Sequence, residues 1–149
     1  AGTEPYDVIL IGKSTDASGF GGASFSSQTL DQDDDSSNLG AVQLHDPFMK
    51  RVVVEAMKQL FKEIRENKIE VGYKDLGAGG IACAASEIAA SGGFGVDIDL
   101  SKVLCGIEGL GPEVISCSET QESFCMVVPR DFSQRCCDIF NKDFDIIFP

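Results

Sequence analysis

Tryptophan is absent from this 149-residue chain, histidine occurs once, and basic residues are scarce, with 12 Lys+Arg against 24 Asp+Glu and a formal net charge of −12. That balance argues against a nucleic-acid partner, whose phosphate backbone needs a basic stripe. No run of about 18 apolar residues occurs and no basic-then-apolar leader opens the chain, so neither a membrane span nor a membrane partner is expected. The six cysteines form no C-x-x-C pair, and with a single His a zinc site is not expected. They read as reduced, small apolar residues of a cytoplasmic protein. What is present, 43% apolar and 24% charged residues, is ordinary for one soluble domain with a sizeable core. Any phosphate chemistry here must rest on backbone N–H groups, a few side chains and a metal, or on cationic groups of a neighbouring domain.

Along the chain, Asp7 to Ile11 reads as a strand ending at Gly12, followed by a small-residue loop from Ser14 to Ser27. Asp31 to Asn38 is an acidic, serine-containing tract, read as a surface loop with a cation site as the sharper alternative. Asp46-Pro47 opens the clearest helix, with Asp46 as cap and Met49, Val53, Met57, Leu60 and Ile64 on one face. Lys50, Arg51, Lys58 and Lys62 then read as part of a solvated face, and the helix fades near Asn67. Ile69, Val71 and Tyr73 alternate as a strand. Ile81 to Ser91 is a small-residue helix stopped by Gly92-Gly93, and Phe94 to Leu100 alternates as a half-buried strand. A short helix from Pro112, a strand from Phe124 to Val128 and a helix from Asp131 to Asn141 complete a mixed α/β or α+β domain. The start on Ala1 and the stop at Phe148-Pro149 suggest one domain, residues 1–149, cut from a larger multidomain protein and truncated at its C-terminal end.

Four segments could carry chemistry. Tyr73-Lys74-Asp75-Leu76-Gly77-Ala78-Gly79-Gly80 runs from a strand into a glycine-rich helix start. Glycines let the backbone approach a ligand, helix-start N–H groups attract anions, and an Asp beside them can bring a divalent cation to a phosphate. The rival is a tight turn with a capping Asp. Gly19, Gly21 and Gly22 in Gly19-Phe20-Gly21-Gly22-Ala23-Ser24 could form an anion-binding concavity, though the segment is neither a P-loop nor a dinucleotide fingerprint. Gln43, just before the Asp46 cap, can recognise an amide or a hydroxyl, or can be a surface polar residue. His45 reads as structural. Glu119, Thr120 and Gln121 offer an acceptor, a hydroxyl and an amide in a row, either a ligand-reading segment or a polar turn.

Taken together, GFGGASFSS (19–27), VQLHDPFMKR (42–51), KDLGAGGIACAASEIAASGGFGVDIDLSKV (74–103) and SETQESFCMVVP (118–129) span nearly the whole chain. In that order they resemble the C-terminal-type domain of the aminoimidazole ribonucleotide synthetase superfamily. Within it they are most similar to the phosphoribosylformylglycinamidine synthase branch, large (synthetase) subunit. D-L-G-A-G-G combined with S-E-T-Q-E is the specific part.

The resemblance implies a layered α/β sandwich, helices covering a mainly antiparallel sheet, of α+β class. It implies an ATP- and Mg2+-dependent ligase of purine biosynthesis that converts formylglycinamide ribonucleotide to its amidine, phosphorylating the formyl amide oxygen and displacing it with ammonia from glutamine. It makes Gln43, Glu119, Thr120 and Gln121 substrate-binding residues, Asp75 a magnesium ligand, and Gly19, Gly21, Gly22, Gly79 and Gly80 phosphate or loop candidates. ATP binding, the catalytic His and the glutaminase partner, as subunit or domain, would lie outside these residues, leaving no catalytic residue and an inactive fragment. From Asp75 to Glu119 is 44 positions, an undisturbed spacing, whereas Gln43 to Asp75 is a few residues longer than usual. Where many relatives read T-G-R-D-G, this chain has Thr15-Asp16-Ala17-Ser18-Gly19, and Asp16 is a candidate for the missing carboxylate. Two rivals remain: another superfamily member, such as selenophosphate synthetase, thiamine monophosphate kinase or the carbamoyl-dehydratase maturation protein, and a non-catalytic assembly module.

Overall fold

The structure, a computed structural model, describes residues 5–20 and 45–144. Gly21, Gly22, Gln43 and the acidic tract at 31–38 lie outside the described residues. The elements run β1 (Tyr6–Ile11), α1 (Pro47–Asn67), β2 (Gly72–Asp75), α2 (Gly80–Gly92), a 3-10 turn (Leu100–Lys102), α3 (Pro112–Cys117), β3 (Phe124–Pro129), α4 (Arg130–Asp138) and a π-turn (Ile139–Asp143). Among the described residues the strands form one sheet in the order β1-β3-β2, antiparallel throughout. The expected α+β class and antiparallel sheet are observed.

β3 is central, and its near-continuous apolar sequence follows from burial on both faces. Met126 and Val128 join Ile11 and the α1 residues Val53, Ala56, Met57, Leu60 and Ile64 in the main core, closed by Cys136 and Ile139. Cys125, pointing the other way, packs with Ala84 and Ala85 of α2. Full burial of one such side chain, Leu60 for example, contributes on the order of 2 kcal/mol. α1 starts as expected, Asp46 Oδ1 accepting the Met49 N–H at 2.9 Å with Pro47 in the first turn. α2 is stopped as expected by Gly93 at φ 75. Gly72 lets α2 settle close, since a Cβ there would stand 2.3 Å from Ile88 Cγ2.

Two expectations need correction. Phe94 to Leu100 is not a strand but an irregular segment entering the 3-10 turn. Of its alternating apolar residues, Ile98 joins the α2 cluster, whereas Phe94, whose ring lies 5.7 Å from that of Tyr6, and Val96 stay exposed. Alternation does not supply a neighbouring strand for the backbone. The Ile69–Tyr73 strand is displaced to Gly72–Asp75. The Ile69 N–H is already bonded to Ile64 O at 3.0 Å, finishing α1, so that residue cannot join a ladder.

Candidate functional site

Ile11 and Asp75 both pair with Phe124, so three chain segments meet at one end of the sheet. The chain leaves β1 at Gly12 and β2 at Leu76, and enters β3 from Ser123. The Leu76 N–H donates to Ser123 O at 3.0 Å. Gly12, at φ +130, admits the turn before β3, because a Cβ there would stand 2.3 Å from Glu122 O. Gly80, at φ +54, does the same for α2, where a Cβ would stand 2.6 Å from Ser118 O. D-L-G-A-G-G is thereby set directly against S-E-T-Q-E-S.

The N-cap of α2 is Gly79, with no side-chain cap, so the capping-Asp rival for this segment is excluded. Asp75 is exposed and, among the described residues, forms no hydrogen bond or ion pair through its carboxylate. The Gly80 N–H is taken by Gly77 O at 2.9 Å, so Gly80 supplies clearance rather than a free donor. Burial, and secondarily the Asp75 charge, push the Tyr73 phenol up to about 12, which keeps it neutral at physiological pH.

The segment read as a ligand-reading stretch or a polar turn is not an ordinary surface turn. Thr120 is 1% exposed, Ser118, Glu119 and Ser123 are also buried, and Gln121 is half-buried. Among the described residues the hydroxyls of Ser118, Thr120 and Ser123 have no hydrogen-bond partner. A buried hydroxyl without a protein partner is uncommon in a native fold, and a bound ligand or water is what ordinarily satisfies one.

Gly19 is buried at φ 66, at the end of the described part of its loop. Asp16, the candidate replacement carboxylate, accepts the Ser18 N–H at 2.9 Å and the Ser18 hydroxyl, a local turn. His45 is exposed. Among the described residues no three His, Cys, Asp or Glu gather as a metal cage. All six cysteines are free, and burial raises the Cys125 and Cys136 thiols to about 11 and about 12, consistent with small apolar residues. Sequence reasoning gave no individual site role to Gly12, Glu122 or Ser123; a glycine at a strand end was the signal for Gly12.

The model of the AIR synthase related protein C-terminal domain matches residues 4–147. The chain is 47% identical over 98% of its length to phosphoribosylformylglycinamidine synthase subunit PurL of Methanothrix thermoacetophila, and covers 19% of that protein. It is 42% identical over 87% of its length to PurL of Methanopyrus kandleri, covering 18%. Among solved structures, PurL of Thermotoga maritima complexed with FGAR aligns at a TM-score of 0.78 with 32% identity, over 95% of this chain and 23% of that one. The PurLQS structure from the same organism aligns at 0.69 with 28% identity, over 95% and 21%. The chain thus spans about a fifth of the length of these relatives.

Proposed function

The chain belongs to the family of the AIR synthase related protein C-terminal domain, and from that premise we propose that it is the substrate- and cation-contacting domain of a phosphoribosylformylglycinamidine synthase. In this reading the whole protein is the ATP-dependent ligase that makes formylglycinamidine ribonucleotide from formylglycinamide ribonucleotide. It works in the cytoplasm with a glutaminase partner and binds ATP mostly through a domain beyond these residues. No helix among the described residues is long and apolar enough to cross a membrane.

One observation carries the proposal. Asp75 and the glycines of α2 share the end of the sheet with a buried turn whose hydroxyls lack partners. Glu119, Thr120 and Gln121, with Gln43, are the set that would orient the ribonucleotide. The first turn of α2 and the glycines at 19, 21, 22 and 79 are the candidate phosphate cradle. Phosphoryl transfer needs positioning and electrostatics more than an acid–base pair.

Asp75 fits a magnesium ion: an exposed carboxylate with no partner among the described residues can take a cation, and Mg2+ keeps waters while using one or two carboxylates and phosphate oxygens. When bound, the ion would neutralise charge on the transferring phosphate. Asp75→Asn in the full-length protein should lower turnover by on the order of 100-fold with little change in melting temperature. Unchanged steady-state rates at saturating Mg2+ would reject the assignment. Ribonucleotide affinity should likewise fall on Gln43→Ala and Gln121→Ala, and an unaltered dissociation constant for both would favour an assembly role.

A further inference from the structure

Glu122, one residue beyond the E-T-Q segment, is unusual in three independent respects. Its φ of 65 lies in the left-handed region, which for a residue with a Cβ costs about 1–2 kcal/mol and persists only where the surroundings enforce it. Its side chain is only 12% exposed. Its Oε2 lies 3.0 Å from Lys50 Nζ but accepts no well-directed hydrogen bond.

Lys50 comes from the first turns of α1, far away in sequence, and makes a second contact at the same end of the sheet. Its ammonium stands 5.0 Å from the centroid of the Phe124 ring, which stacks on Tyr73 at 5.5 Å. Tyr73 in turn senses the Asp75 charge. One cation therefore touches the turn that carries Thr120 and Gln121 and the aromatic stack that reaches the strand of Asp75.

We propose that Lys50 and Glu122 form a strut that positions the S-E-T-Q turn for the ribonucleotide, making Lys50, whose side chain remains 48% exposed on α1, a positioning residue. This rests on the reading given under Proposed function. A fully exposed ion pair would do little, but Glu122 is largely buried, and a buried carboxylate stripped of its cation is driven to find water. Residue 122 is the left-handed pivot between Gln121 and Ser123, with Gly12 packed against its carbonyl. Any such movement therefore re-aims Thr120 and Gln121. Asp75 sits on the other strand and keeps its position, so the chemical step should be spared.

The test uses the full-length enzyme with formylglycinamide ribonucleotide, ATP, Mg2+ and ammonia. Lys50→Met keeps the stem and removes the charge; it should raise KM for the ribonucleotide about 10-fold while kcat stays within about twofold, and Lys50→Arg should restore KM. Should Lys50→Met fail to fold, Lys50→Gln, which likewise removes the charge and leaves the Glu122 carboxylate without its cation, carries the same expectation. A lowered melting temperature with unchanged KM would mean a purely structural pair and overturn the proposal. A wild-type protein that neither binds nor turns over the ribonucleotide would overturn this proposal together with the functional reading. Normal wild-type kinetics with an unmoved variant KM would overturn the strut alone.

Discussion

At the Pro129 end of β3, polar groups are paired. Asp7 accepts Ser133 Oγ at 2.6 Å and Arg130 Nε at 3.2 Å, the Arg130 N–H donates to Pro5 O at 3.1 Å, and Arg135 grips Glu63 through Nε at 2.9 Å and through its other arm at 2.6 Å while reaching Asp143 at 3.0 Å. At the Phe124 end, three buried hydroxyls have no partner, Glu122 holds a positive φ and Asp75 is unpaired among the described residues. The same strand thus joins an end optimised for its own stability to an end that leaves polar capacity unspent. Departures from local satisfaction concentrate where a ligand is expected to complete the structure.

The sharpest attempt to break this contrast targets the clearance at the Phe124 end. Gly80→Ala sets a Cβ against Ser118 O at positive φ, and should destabilise the full-length protein by about 3 kcal/mol or more in a denaturant titration. A loss below about 1 kcal/mol would mean that this junction is loose and the site not preformed. At the Pro129 end, Ser133→Ala removes the principal donor to Asp7 and should cost about 1 kcal/mol without altering substrate KM.

The paired end should also be the acid-sensitive one. The Ser133 hydroxyl, then Arg130, hold the Asp7 carboxyl below its usual range, and Arg135 does the same for Glu63. A carboxylate depressed in the fold stabilises it above the unfolded value and loses that contribution as pH falls through the folded one, hence below about pH 4. Melting temperature measured against pH should decline there, and less steeply in Asp7→Asn; an identical slope would place the acid sensitivity elsewhere. The smallest effect on stability is expected from Thr120→Val. Removing a buried hydroxyl with no partner should be neutral or slightly stabilising, within about 0.5 kcal/mol, yet raise ribonucleotide KM about 10-fold. A marked destabilisation would show that the hydroxyl serves the fold.

Much of this was legible beforehand where the cause is local. The Asp46-Pro47 start and the apolar face of α1, the Gly93 stop of α2 and the strand of β3 depend on residues within a few positions of one another. The Phe94–Leu100 alternation misled because a period-two pattern supplies no partner strand, and here Phe94 and Val96 are left exposed. Asp75 was placed correctly at the strand end, but capping was excluded only by seeing Gly79 in that role. The S-E-T-Q-E segment was recognisable as polar; its burial was not, because burial depends on what α2 and Gly12 bring over it.

The amino-acid sequence by itself determined the elements and their ends, through caps, glycines and apolar spacing, and it carried the order of motifs that marks the family. Tertiary structure alone decided that segments 47 positions apart share a hydrogen bond from Leu76 to Ser123, that a lysine of α1 faces Glu122, and that serine and threonine hydroxyls are shut away from water. Those outcomes follow from the antiparallel register around β3, which brings chain ends together by pairing over long separations, and no local pattern encodes which ends will meet.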